Sequence, residues 1–338
     1  MKSSMMFAFL FACVGVVGIV RAESTPSKSL LVLSKGDKTL SIVDPSSLKV
    51  IARMPSGPDP HEVVASTDGK FAYISNYGGG AYNTITVVDL VAQKTLQAVD
   101  LGALRGPHGL FFAGGKVWFT AEAAKAIGSY DPQTKTIDWV LGTGQNGTHM
   151  IFVSDDLTRI CTSNISSATM TIIDKTSGAG RGGRGSPQGD WNETVVSVGK
   201  GAEGFDVSPN GKEIWAANAQ DGTISILDAA SRKVVQTVAA NVGGANRLKF
   251  TTDGKLVFVS SLRSADLAIF DTASRGEVKR VKLGRGAAGI QMNPDSSIAY
   301  VACTPDDYVA IVDLKKLEVS GKIEAGKQPD GLAWAVRQ

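Results

Sequence analysis

The sequence predicts an all-β protein, a seven-bladed β-propeller with four antiparallel strands per blade, and two observations carry that reading. An apolar run ending in aspartate recurs seven times, at Asp44, Asp89, Asp131, Asp174, Asp228, Asp271 and Asp313. The spacing is 42–45 residues, apart from one interval of 54. In addition, no stretch carries the 3.6-residue apolar period of a long helix. Short alternating runs are separated by turns such as TDGK and PNGK instead. Four short strands in a period of about 43 residues describe a propeller blade, and seven such blades pack face to face around a central channel.

Each element of the unit follows in order. Behind the aspartate come a turn and a strand such as KTLQAVDL or KVVQTVAA, then a glycine-containing link. A run with a fixed starting position follows, then a turn, then a run such as FAYISN, EIWAAN, LVFVSS or IAYVAC. The N-terminal runs LLVLSKG, KTLSIVD and KVIARMP match second, third and fourth strands, and the C-terminal DGLAWAV matches a first strand. The last blade is therefore expected to close as a clasp of three N-terminal strands and one C-terminal strand, which hides the edges of an open array. The long interval contains an insertion at 176–193, rich in glycine and arginine, expected to be a surface loop. A second enlarged connection, NYGGGAYN, spans 76–83.

Residues 1–22 read as a signal peptide: Lys2, an apolar run from Met5 to Val20, and a cut near Ala22. Residues 23–338 then form a single propeller domain, secreted or periplasmic, with no membrane span once the signal is removed. The whole chain carries 35 Lys+Arg against 32 Asp+Glu. Removal of the signal takes away Lys2 and Arg21 and no acid, so the remainder is near neutral, which disfavours a surface that tracks phosphates. Cys161 and Cys303 sit in strand-like runs three repeats apart and read as small buried hydrophobes.

The phrase made by an inner run, a Ser-Pro-Asn-Gly-Lys-type turn, a Tyr-Val-Thr-Asn-like strand and a V-x-V-I-D strand resembles the YVTN family of propeller repeats. The stretches GFDVSPNGKEIWAANAQDGTISILD and EVVASTDGKFAYISNYGGGAYNTITVVD carry it, and the similarity covers residues 30–336. The overall look is similar to the YncE-like secreted propellers. Such repeats specify a fold and leave activity open: ligand binders, surface proteins, enzymes and a group that binds single-stranded DNA share them.

The chain has only three histidines, His61, His108 and His149, and all occupy the same position at the start of a first strand. The same slot holds Glu203, Asn246, Ala288 and Asp330 in the remaining units. First strands line the channel, so these residues should form a ring at one mouth. Three imidazoles and the carboxylate of Glu203 are a donor set suited to a divalent transition metal, with Zn, Cu, Fe and Mn undistinguished. Glu203 is the candidate fourth ligand or catalytic base. Polar lining of the channel, or a pH-sensitive role without metal, stands beside that reading. Tyr77, Tyr82, Glu122, Asn246, Arg247, Arg263 and Asp330 are the candidate substrate contacts on the same face. Asn76, Asn164 and Asn218 are read as turn-forming residues.

No nucleotide fingerprint, nucleophile elbow or Cys-x-x-Cys-His occurs, so neither a nucleotide cofactor nor covalent haem is expected. A metal-dependent hydrolase, lyase or oxidase acting on a small molecule or peptide is one reading. By analogy with the streptogramin lyases, which share the seven-bladed fold, lyase or lactone-opening chemistry is a concrete case. The alternative is a monomeric, non-catalytic ligand- or protein-binding scaffold, with single-stranded DNA a further option that low charge and 7% aromatic content disfavour.

Overall fold

The computed structural model describes residues 24–176 and 190–337. The expected signal segment and most of the Gly/Arg-rich insertion, including its basic stretch at 178–185, lie outside the described residues. Seven antiparallel sheets are present, each of four strand positions in chain order. The first six blades start with the inner strands Pro60–Ala65, Pro107–Ala113, Thr148–Val153, Ala202–Val207, Ala245–Phe250 and Ala287–Met292. The seventh pairs Pro329–Val336 with Lys28–Ser34, followed by Thr39–Val43 and Val50–Pro55. Leu30 lies opposite Trp334 in this expected clasp. In the first blade the outer strand is broken into Lys94–Thr95 and Val99–Asp100, both paired with Thr84–Asp89.

The recurring aspartate has a local cause. At the end of the third strand its carboxylate accepts backbone N–H groups two or three residues on, tying the turn to the outer strand. Asp89 Oδ1 takes Val91 and Ala92 at 2.9 and 2.8 Å, and Asp313 Oδ1 takes Lys315 and Lys316 at 2.9 and 2.8 Å. Asp174 binds Arg159 and Arg232. The other hairpin turn uses a hydroxyl and a carboxylate together: Ser66 Oγ donates to Asp68 Oδ1 at 2.6 Å, and that oxygen also accepts the Lys70 N–H.

Apolar side chains alternate out of each sheet into the gaps between blades, so the core is divided into blade-to-blade clusters. Tyr73, Ile85 and Phe119 meet between the first and second blades, and Trp215, Phe250 and Val257 between the fourth and fifth. Each fully buried aliphatic side chain contributes about 1.5–3 kcal/mol. Cys161 and Cys303 are buried free thiols, as read from the sequence.

Two devices place the inner strands at a common height. The pairing register of the inner strand shifts at or beside the slot in each blade, for example between Pro60 and Val63 and between Ala287 and Ile290. Such bulges re-aim a side chain next to a site. A hydroxyl then couples neighbouring blades. Ser75 Oγ accepts the Glu62 N–H at 3.1 Å and donates to the His108 carbonyl of the next blade at 2.7 Å. Thr120 does the same between Gly109 and His149, and Ser260 between Arg247 and Ala288. The strands approach so closely here that a Cβ on Gly289 would lie 2.1 Å from the Asp330 carbonyl oxygen.

Candidate functional site at the channel mouth

The three histidines come together. His61 Nδ1 and His108 Nε2 are 3.1 Å apart, and the His108 and His149 rings lie 3.7 Å between centroids at 31°. The Tyr77 ring meets His61 and His108 edge-on, with centroids 5.0 and 5.2 Å away. His108 is 3% exposed, and His149 is also buried.

Carboxylates stand behind two of the imidazoles. Glu122 Oε2 is 3.2 Å from His149 Nδ1, and Asp59 Oδ2 is 3.3 Å from His61 Nε2. Asp59 holds a left-handed backbone, φ 44°, and its carboxylate accepts the Gly78 N–H at 2.8 Å. The enlarged 76–83 connection thereby anchors the group that orients His61. A non-glycine residue at positive φ beside a site is strain held by its surroundings.

These partners assign the tautomers. The Lys35 ammonium can only donate and lies 3.5 Å from His61 Nδ1, so His61 Nδ1 is an acceptor and Nε2, on the Asp59 side, carries the proton. His61 Nδ1 also takes the His108 Nε2–H. His108 Nδ1 is then a bare lone pair, buried and with no hydrogen-bond partner. Glu122 Oε2 accepts from His149 Nδ1–H.

The imidazoles of the first two blades are held neutral. Burial and the Lys35 ammonium bring the His61 pKa down to about 4, against the opposing pull of Asp330 and Asp59. Burial, with His149 and His61 as neighbours, holds His108 well below the usual imidazole range. The Tyr77 phenol is pushed up to about 12 by burial and by the neighbouring negative charge of Glu122. It is a proton donor that does not ionise near neutrality.

The other predicted residues divide. Asp330 is buried, 3.2 Å from Lys35 Nζ and 3.8 Å from His61 Nδ1. Glu203 turns to its neighbour: its Oε1 accepts Asn246 Nδ2 at 2.5 Å. The carboxylates that meet imidazoles of this ring are Glu122, Asp59 and Asp330. Arg247 is 6% exposed and pairs with Glu62 across the channel. Burial opposes the guanidinium charge, but Glu62, Asp330 and Glu203 outweigh it and raise its pKa. Tyr82 is exposed and packs on Gly78, while Arg263 packs on Gly244. Neither makes a ring, hydrogen-bond or ionic contact with an imidazole among the described residues. Asn76, Asn164 and Asn218 are buried within their blades, and each amide bonds to hydroxyls of the third strand.

Asp59, Lys35 and Glu62 were not singled out in the sequence. Asp59 and Glu62 flank His61 and could have been noted on that ground. Lys35 arrives from the clasp, 26 residues away in the chain, and had no signal. Among the described residues, no group of three or more His, Cys, Asp or Glu side chains already surrounds one point as a metal requires. His108 and His149 are stacked instead.

The architecture defines the class: this chain is a seven-bladed β-propeller. No protein-family model matches it, and no curated protein matches it. Solved structures do. A protein of Desulfotomaculum acetoxidans described as functionally unknown superposes with a TM-score of 0.71 at 13% identity, covering 89% of this chain and 98% of that one. Two proteins, from Bacteroides uniformis and Bacteroides fragilis, are each provisionally described as a 6-phosphogluconolactonase. They give TM-scores of 0.72 and 0.71, each at 16% identity, covering 91% and 92% of this chain and 99% of each of theirs. At such identities the likeness is one of fold.

Proposed function

We propose that the histidine mouth is a divalent-metal site in an exported propeller of YVTN type, used to open a small ester or lactone. The observation that carries the reading is the buried, partnerless Nδ1 of His108 between two imidazoles whose outer nitrogens are occupied by carboxylates. Carboxylate-backed imidazoles with inward lone pairs are the usual arrangement of metal-ligating histidine. Neutral imidazole is the ligating form, and burial keeps His61 and His108 in it. Rotation about the imidazole torsion, which is broad and two-fold, would turn the His108 ring off His149 and regroup the three nitrogens.

A bound zinc or similar ion would polarise a carbonyl or activate a water there. The protein's own groups do the rest. Glu122 holds the His149 tautomer, and Tyr77 offers a phenol proton to a developing oxyanion. Arg247 supplies positive charge one residue deeper in the channel, and Glu203, next around the ring, is assigned the role of base. Lactone opening is favoured over oxidation by the two similar propellers with a lactonase description, which is support by analogy.

The test is hydrolysis of simple aliphatic lactones by protein loaded with zinc, manganese or iron, and by chelated protein. Activity that requires metal and falls at least a hundredfold in Glu203→Gln or His108→Ala is expected. Equal rates with and without metal would remove the proposal.

A further inference from the structure

One residue deeper than the histidine ring, Glu62 and Arg247 reach across the channel from the first and fifth blades and pair. They line a cavity of about 340 Å³ in the channel, within the range of small-ligand sites. Its lining combines aromatic rings with charged pairs. The second and third blades contribute Phe111 and Phe152, whose rings meet edge-to-face with centroids 5.3 Å apart. The fourth and fifth contribute Asp206 and Lys249, whose charges are 3.4 Å apart.

The chamber thus holds two acids and two bases in two pairs, with aromatic rings in the same lining. A ligand of one net charge would satisfy one member of a pair and leave the other without its counter-charge, which is unfavourable above all at the largely buried Glu62–Arg247 pair. A ligand carrying both signs can meet both members. The aromatic wall asks for an apolar body, because such rings gain from burial against another ring.

We infer that the channel cavity lined by the Glu62–Arg247 pair is a second ligand chamber, which takes a small zwitterion with an apolar body, the chemistry of an aromatic amino acid. Its carboxylate faces Arg247 and Lys249, its ammonium faces Glu62 and Asp206, and its ring lies on Phe111 and Phe152. None of the three histidines is among the residues lining this chamber, so its occupation does not depend on the proposed metal.

Titration calorimetry on the purified protein tests this with phenylalanine, phenylpropanoate and phenylethylamine, which share a ring and differ in charge. Phenylalanine should bind at least about tenfold more tightly than either analogue, a difference of about 1.4 kcal/mol. Phe152→Ala and Lys249→Ala should each weaken it about tenfold, and Lys249 is partly exposed, so its variant keeps the fold. His108→Ala should leave it unchanged, which separates this result from the mouth. Absence of binding at millimolar phenylalanine, equal affinity for all three compounds, or indifference to both chamber variants would overturn the inference.

Discussion

The first three blades and the next three share one backbone plan and present different chemistry at the same height. On one side the slot holds His61, His108 and His149, packed ring to ring and backed by Asp59 and Glu122. On the other it holds Glu203 and Asn246, hydrogen-bonded to each other, and Ala288. The hydroxyl bridge that sets the height serves both, through Ser75 and Thr120 on the first side and Ser260 on the second. The difference teaches that the scaffold fixes position while single side chains, free of the fold's demands, decide what the position does.

Breaking the link between the halves should have the largest effect. Arg247→Ala leaves Glu62 buried without its counter-charge, and unfolding in urea should show a loss of about 3–5 kcal/mol. A Glu62→Met/Arg247→Met double variant should recover most of it. If Arg247→Ala unfolds like wild type, the pair does not join the halves.

Acid should separate the halves next, in the metal-free protein. His61 has a folded pKa of about 4 against an ordinary value of 6.5. The unfolded chain therefore binds the proton first, and stability present above pH 6.5 is lost as pH falls towards 4. His61 alone accounts for about 3 kcal/mol over that window, and His108 adds to it in the same direction. His61→Gln should flatten the slope of unfolding free energy against pH, whereas Asn246→Ala should not. An unchanged slope in His61→Gln would contradict the neutral burial described.

The smallest effect should be shared. Ser75→Ala and Ser260→Ala each remove one bridge between adjacent inner strands, and each should lower stability by about 1 kcal/mol in the same unfolding assay. A large difference between them would mean that the two halves are not held by a common device.

The propeller, its clasp and the common height of the three histidines were legible in the sequence because they are properties of a period, and a period survives in one dimension. The aspartate that ends each third strand marked the repeat as well as the turn it builds. What could not be read is whatever depends on contacts between units. Lys35 reaches His61 only because the clasp brings the seventh blade beside the first. Glu122 looked like a substrate contact, since its pairing with His149 crosses from one blade to the next. Glu203 belonged to the ring by position, but position in a repeat does not tell which neighbour a carboxylate bonds. Asp59 was hidden by an ordinary PDPH turn, although its positive φ and its bond to Gly78 make it the support of His61.

The most direct measurement is zinc titration of the purified, chelator-stripped protein alongside His108→Ala and Asn246→Ala, which alter the same slot in opposite halves. One equivalent bound by wild type and by Asn246→Ala, with at least a hundredfold weaker binding by His108→Ala, is the predicted result. Equal binding by all three proteins, or none by wild type with zinc, manganese or iron, would contradict a metal centre at the imidazole side of the mouth.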